Sequence, residues 1–180
     1  MISQFRERDI PKQWFALVVK CRREKLVTDG LLGRNIETFL PVTRQRRQWS
    51  DRVKVMDVPL FPGYVFCKCD YDNRLAVLGT PGVASFVSFG NGPAMVPAED
   101  IKGVRTIVDS GLPVSAGPCL HVGQPVRIAE GPLAGLEGIL SREKDALRVV
   151  VNVEILQRSV AVDVERSMTS AIRPRTAGSV

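Results

Sequence analysis

Pro59-Leu60-Phe61-Pro62-Gly63-Tyr64-Val65-Phe66 places three aromatic residues, two prolines and a glycine in a run that otherwise alternates like a β-strand. Proline cannot donate to a central ladder, and glycine weakens a strand interior. Such residues are tolerated where backbone shape or an aromatic surface matters. The run directly follows a strongly basic stretch, Arg44 to Lys54. Together the two read as an apolar docking surface beside a surface that faces nucleic acid.

The charge is concentrated just upstream. Residues 20–54 hold ten Lys/Arg against four Asp/Glu, which accounts for the whole net charge of +6. One local excess of this kind suggests an acidic partner such as nucleic acid; the alternative is a solvated basic face. Arg44 to Lys54 (RQRRQWSDRVK) reads as a hairpin with Ser50-Asp51 as turn residues. Its return strand runs through Val53, Val55 and Val58 into the Phe61-Pro62-Gly63-Tyr64 segment.

Working outward, Trp14 to Val19 (WFALVV) reads as a buried strand, 22–33 as a helix ending near Gly33, and Ile36 to Val42 as a second strand. After the Val65–Cys69 strand come a short helix at Asn73–Leu78, a strand over Val83–Phe89, a turn at Asn91-Gly92-Pro93, and a helix at about 98–110. That last helix has Ile101, Val104, Ile107 and Val108 on its apolar face. This order predicts an α+β sandwich over 14–111, an antiparallel sheet with helices on one side. Residues 1–13 read as a tail.

Leu112 to His121 (LPVSAGPCLH) reads as a linker because of its prolines, serine and glycine. Beyond it, 122–172 is dominated by period-two alternation: Val126 and Ile128 against Arg127, then Val149, Val151 and Val153, then Val160, Val162 and Val164. Several short strands in so small a span predict a small β-barrel. Residues 173–180 read as a second tail.

Cys21, Cys67, Cys69 and Cys119 have no zinc-like spacing, and the chain has one histidine, His121. No metal or cofactor is expected. Spacing offers no Ser-His-Asp, Cys-His or paired-carboxylate set, and GPLAGLEG at 131–138 is not a phosphate-binding loop. An enzyme is not expected. No apolar run reaches the ~18 residues that span a bilayer, and the N-terminus has no apolar signal core, so a cytoplasmic location is expected.

The WFALVV strand, the FLPV strand, the basic hairpin, LFPGYVF and the Gly82–Gly90 segment together resemble the N-terminal (NGN) domain of NusG-type transcription elongation factors. Gly131-Pro132-Leu133-Ala134-Gly135-Leu136-Glu137-Gly138, within 122–140, resembles a KOW motif, implying an SH3-like barrel. The two blocks cover nearly the whole chain. LPVTRQRRQWSDRVK and VEILQRSVAVDVE are similar to specialised paralogues of the UpxY, RfaH and LoaP antiterminator type.

The resemblance implies an elongation and antitermination factor that binds RNA polymerase and suppresses pausing and termination, in an operon-specific way. The alternatives are a general NusG-like elongation and termination factor, or a ribosome-associated RNA-binding KOW protein. It implies three surfaces on a monomer. Phe61, Pro62, Gly63, Tyr64 and Phe86 would dock on the clamp helices of the polymerase largest subunit; the other reading places Phe61 and Phe86 in the core. Lys20, Arg22, Arg23, Arg44, Arg46 and Arg47 would lie near the non-template DNA strand at the upstream fork, with Trp49 either stacking on bases or packing on its own hairpin. Gly131, Leu133, Gly135, Leu136, Gly138 and Leu156 would form a barrel surface for a small-subunit ribosomal protein or Rho; the other reading puts these leucines in the barrel core.

Overall fold

The computed structural model describes residues 11–48, 53–90, 92–143 and 146–172. Most of the 1–13 tail, the 173–180 tail, the Ser50-Asp51 turn, Trp49 and Asn91 lie outside the described residues. The first half runs β1 (Gln13–Val19), α1 (Glu24–Leu32), β2 (Glu37–Phe39), β3 (Val42–Gln48), β4 (Val53–Pro59), β5 (Tyr64–Cys69), α2 (Arg74–Leu78), β6 (Val83–Phe86), β7 (Ser88–Phe89), β8 (Gly92–Pro93), β9 (Met95–Val96) and α3 (Ala98–Asp109). The second half runs β10 (Val114–Pro118), β11 (Gln124–Ile128), β12 (Glu137–Glu143), β13 (Ala146–Val153), β14 (Arg158–Val164) and β15 (Thr169–Ala171).

The first sheet has the order β2-β5-β1-β6, with β9 also pairing to β1. Every pair is antiparallel. β1 is the central strand and is apolar on both faces, so both faces need a cover. Phe15, Leu17 and Val19 point with Val65, Cys67 and Cys69 toward Val27 and Leu31 of α1 and Val77 of α2. Trp14, Ala16 and Phe66 pack with Ile101, Val104 and Ile107 of α3. The expectation of helices on one side is therefore corrected: α3 covers the face opposite α1 and α2. The cause is the WFALVV run, whose alternate residues are apolar in both sets and cannot leave one face wet.

β3 and β4 form a separate two-stranded ribbon that pairs with no other strand among the described residues. Its register sets Arg44 opposite Asp57, Arg46 opposite Val55 and Arg47 opposite Lys54. A backbone bond from Leu60 N–H to the Pro41 carbonyl, 2.8 Å, closes the base of the ribbon.

The second half is one antiparallel sheet of order β10-β14-β13-β12-β11-β15, wrapped around Val126, Ile128, Val149, Val151, Val153, Val160 and Val162. The alternation read from the sequence is the alternation found. The expected linker over 112–121 is corrected, because Val114 to Pro118 pairs along β14 from Val162 to Arg158. Its glycine and prolines are tolerated because β10 is an edge strand, where one set of ladder bonds suffices.

The two halves share an interface. The buried residues of α3 and of the barrel form one continuous cluster. Gly103, in the middle of α3, is buried at the contact. A β-carbon there would lie 3.1 Å from Val151 Cγ1 and 3.6 Å from Leu136 Cδ1. Among the described residues, no helix is long and apolar enough to cross a membrane.

Candidate interaction surfaces

Pro62 and Gly63 are the central residues of a tight turn. Tyr64 N–H donates to the Phe61 carbonyl at 3.1 Å, and Gly63 has φ 85°. Proline at the second position and a positive-φ glycine at the third define the type II turn. The turn joins the ribbon to β5, and its corner is exposed at Pro62. Gly63 is held from both sides. Its carbonyl accepts from Val19 N–H at 2.9 Å, and its N–H donates to Oε1 of Glu24 at 2.9 Å.

The aromatic residues around this turn do not all face outward. Phe61 is 2% exposed and meets Phe66 edge-on, ring centroids 6.0 Å apart. Phe66 in turn stacks on Phe39 at 6.2 Å. Phe86 is 8% exposed on the opposite face of the sheet, edge-on to Phe15 at 5.7 Å. The expected set of Phe61, Pro62, Gly63, Tyr64 and Phe86 is thus not one surface. Phe61 and Phe86 are core residues on different faces, because the turn reverses the chain and swings the Phe61 ring under the sheet. Tyr64, half-buried, and Pro62, exposed, remain at the surface. Phe39 and Val87, half-buried against the same core as Tyr64, lie in the FLPV and Gly82–Gly90 segments but are not among the site residues expected from the sequence.

The cations fall at one end of the sheet. β1 ends at Val19, Lys20 N–H donates to the Gly82 carbonyl at 2.9 Å, and Arg23 N–H donates to the Lys20 carbonyl at 3.0 Å. Lys20, Arg22 and Arg23 are exposed in this bend, where Arg22 adopts φ 59°. The ribbon leaves the body at Pro41 and Leu60, beside the same turn at 61–64 that bonds to Val19. Arg44 and Arg46 are exposed on one face of the ribbon, and Arg44 lies 3.9 Å from Asp57 in a solvent-exposed pair of little energetic weight. Arg47 pairs with Lys54 in the ladder. The end of the sheet therefore carries both basic groups, with the Pro62-Gly63 corner between them.

In the barrel, Gly131 and Gly135 take φ 81° and 82° in the loop between β11 and β12. Gly138 lies instead within β12, opposite Val126. A β-carbon at Gly138 would come 2.7 Å from the Val150 carbonyl oxygen, so close strand packing is what excludes a side chain there. Leu133, Leu136 and Leu156 are 1%, 4% and 8% exposed. They are not an open surface; they belong to the shared core, and Leu136 faces Gly103 of α3.

The four cysteines are free. A hydrogen bond between the Cys67 and Cys69 thiols, reinforced by burial, pushes Cys67 far above the usual thiol range, so it is a protonated core residue. Among the described residues no cluster of His, Cys, Asp and Glu could hold a metal ion.

A family described as transcription termination factor NusG matches residues 12–105, more than half of the chain. The chain belongs to the NusG family. A transcription termination/antitermination protein NusG of Helicobacter pylori J99 is 25% identical over 159 residues, covering 86% of this chain and 90% of its own. The protein of that name from Deinococcus radiodurans is 26% identical over 186 residues, covering 88% and 98%. A solved structure concerned with domain interaction in Thermotoga maritima NusG is 22% identical, covers 91% of this chain and has a TM-score of 0.49.

Proposed function

We propose that this chain is a transcription elongation and antitermination factor that binds RNA polymerase and suppresses pausing and termination at particular operons. The observation that supports this most is the Pro62-Gly63 corner, set between two exposed basic groups at one end of a sheet whose family acts in transcription termination. In this reading Pro62 and Tyr64, with Phe39 and Val87 behind them, meet the clamp helices of the polymerase largest subunit. Lys20, Arg22, Arg23, Arg44, Arg46 and Arg47 lie against the non-template strand near the upstream fork. Holding both at once favours the closed, moving polymerase over the paused one, a shift of population rather than a chemical step.

The barrel serves a second partner, a small-subunit ribosomal protein or Rho. Because Leu136 packs against α3, that partner meets the loop at 131–136 after the barrel leaves the helix. The protein acts as a cytoplasmic monomer and not as an enzyme.

Transcription by the cognate polymerase through a pause and an intrinsic terminator, with and without the protein, tests the reading. Faster pause escape and more readthrough are expected; more termination at a Rho-dependent site when Rho is added would instead favour a general factor. Tyr64→Ala, at a half-wet position where truncation leaves the fold intact, is expected to weaken polymerase binding by about tenfold, the scale of an aromatic contact at an interface. Binding titrations check it.

Arg44→Ala with Arg46→Ala is expected to leave binding measurable. It should flatten the slope of log affinity against log salt by about 1.4, the loss of two single-strand phosphate contacts. An unaltered slope would count against contact with the strand.

A further inference from the structure

Glu24 is the one acidic residue in a basic bend, and it is 8% exposed. It opens α1 directly after Arg22 and Arg23. Its carboxylate reaches across 39 residues of sequence to accept the Gly63 N–H at 2.9 Å. That N–H belongs to the central peptide of the Pro62-Gly63 turn. Type I and type II turns differ by a flip of this peptide, so an acceptor fixed on one side of it selects the type II form. The bend that carries Glu24 is itself clamped: Lys20 N–H bonds to the Gly82 carbonyl, and a β-carbon at Gly82 would press on Arg23 Cβ at 3.2 Å.

We infer that Glu24 is a positioning residue which holds the Pro62-Gly63 corner in its docking shape and ties that corner to the basic bend at 20–23. The inference rests on the polymerase-docking reading of the corner. Through this carboxylate, beside the Val19 N–H bond to the Gly63 carbonyl, the two surfaces move together. A partner that bears on the cations bears also on the turn, and the corner presented to polymerase is the one set by the start of α1.

The test compares the full-length protein with its Glu24→Ala and Glu24→Gln variants. The readouts are amide hydrogen exchange at Gly63 and affinity for a reconstituted elongation complex. Glutamine keeps an oxygen acceptor at the same reach and loses the charge. In Glu24→Ala, the Gly63 amide is expected to lose protection while the β1–β5 ladder keeps its own, and affinity falls about tenfold, the lower bound for a lost bond to a charged group. Glu24→Gln restores most of both.

Wild-type affinity and a protected Gly63 in Glu24→Ala overturn the inference. So does a Glu24→Gln protein as weak as Glu24→Ala, because charge rather than the positioned acceptor would then be at work. Should Glu24→Ala not fold, Gly63→Ala is read in its place. A β-carbon there meets nothing within 4 Å, so it strains only the turn at φ 85°. Full affinity in that variant also overturns the inference. If the wild-type protein itself fails to bind polymerase, the docking reading falls, and the Gly63 exchange result still reports whether Glu24 holds the turn.

Discussion

Gly103→Leu is expected to lift the barrel off α3 while both halves keep their folds. The β-carbon alone would stand 3.1 Å from Val151 Cγ1 and 3.6 Å from Leu136 Cδ1, so a leucine is built against both. Overpacking of this kind costs about 1–3 kcal/mol. At the interface between the halves, that shifts the docked-to-undocked ratio by about five- to 150-fold. The same substitution removes a glycine from the interior of a 12-residue helix, which favours the helix by about 0.8–1 kcal/mol. The two effects carry opposite signs and fall on different parts of the molecule. Small-angle scattering should show a more extended protein, and the first half should melt no lower than before. An unchanged radius of gyration would mean that Gly103 does not govern the contact.

Phe66→Ala is expected to destabilise the first half by about 3–5 kcal/mol, the range for a fully buried phenylalanine cut to alanine. Phe66 has no exposed surface; it contacts Phe39 and Phe61 and packs under α3. A loss of that size is a large part of the total stability of an ordinary domain, about 5–15 kcal/mol. Chemical denaturation followed by fluorescence of the two tryptophans in the chain, against backbone signals from the barrel, checks it. The first half should unfold early with the barrel strands still formed. A loss below 1 kcal/mol would show that the cavity collapses.

Much of the fold was legible. Ile101, Val104 and Ile107 recur at helical spacing and all become buried in α3. Val149, Val151 and Val153 alternate and all line the barrel. What was not legible depended on contacts distant in sequence. An interior glycine in a helix reads as a weak point until the barrel is seen against it. Glu24 carries no sequence signal of its own, and only the closed fold brings the Gly63 N–H to it. The aromatic residues of the 61–66 segment read as a display surface, since periodicity tells which residues share a face but not which face meets water. The proline-rich segment at 112–118 reads as a tether, because composition does not record that an edge strand tolerates it.

The ribbon of β3 and β4 has a consequence for divergence. Among the described residues it pairs with no other strand, and from Arg44 to Gln48 and from Val53 to Asp57 its described side chains are exposed. Substitutions there cost the body almost nothing, whereas truncations at Phe61 or Phe66 open its core. A duplicated copy of such a gene can therefore change what its arm touches, one residue at a time, with no intermediate that fails to fold. Two descendants sharing one cell would compete for the same machine through the same body and would be told apart by the arm alone.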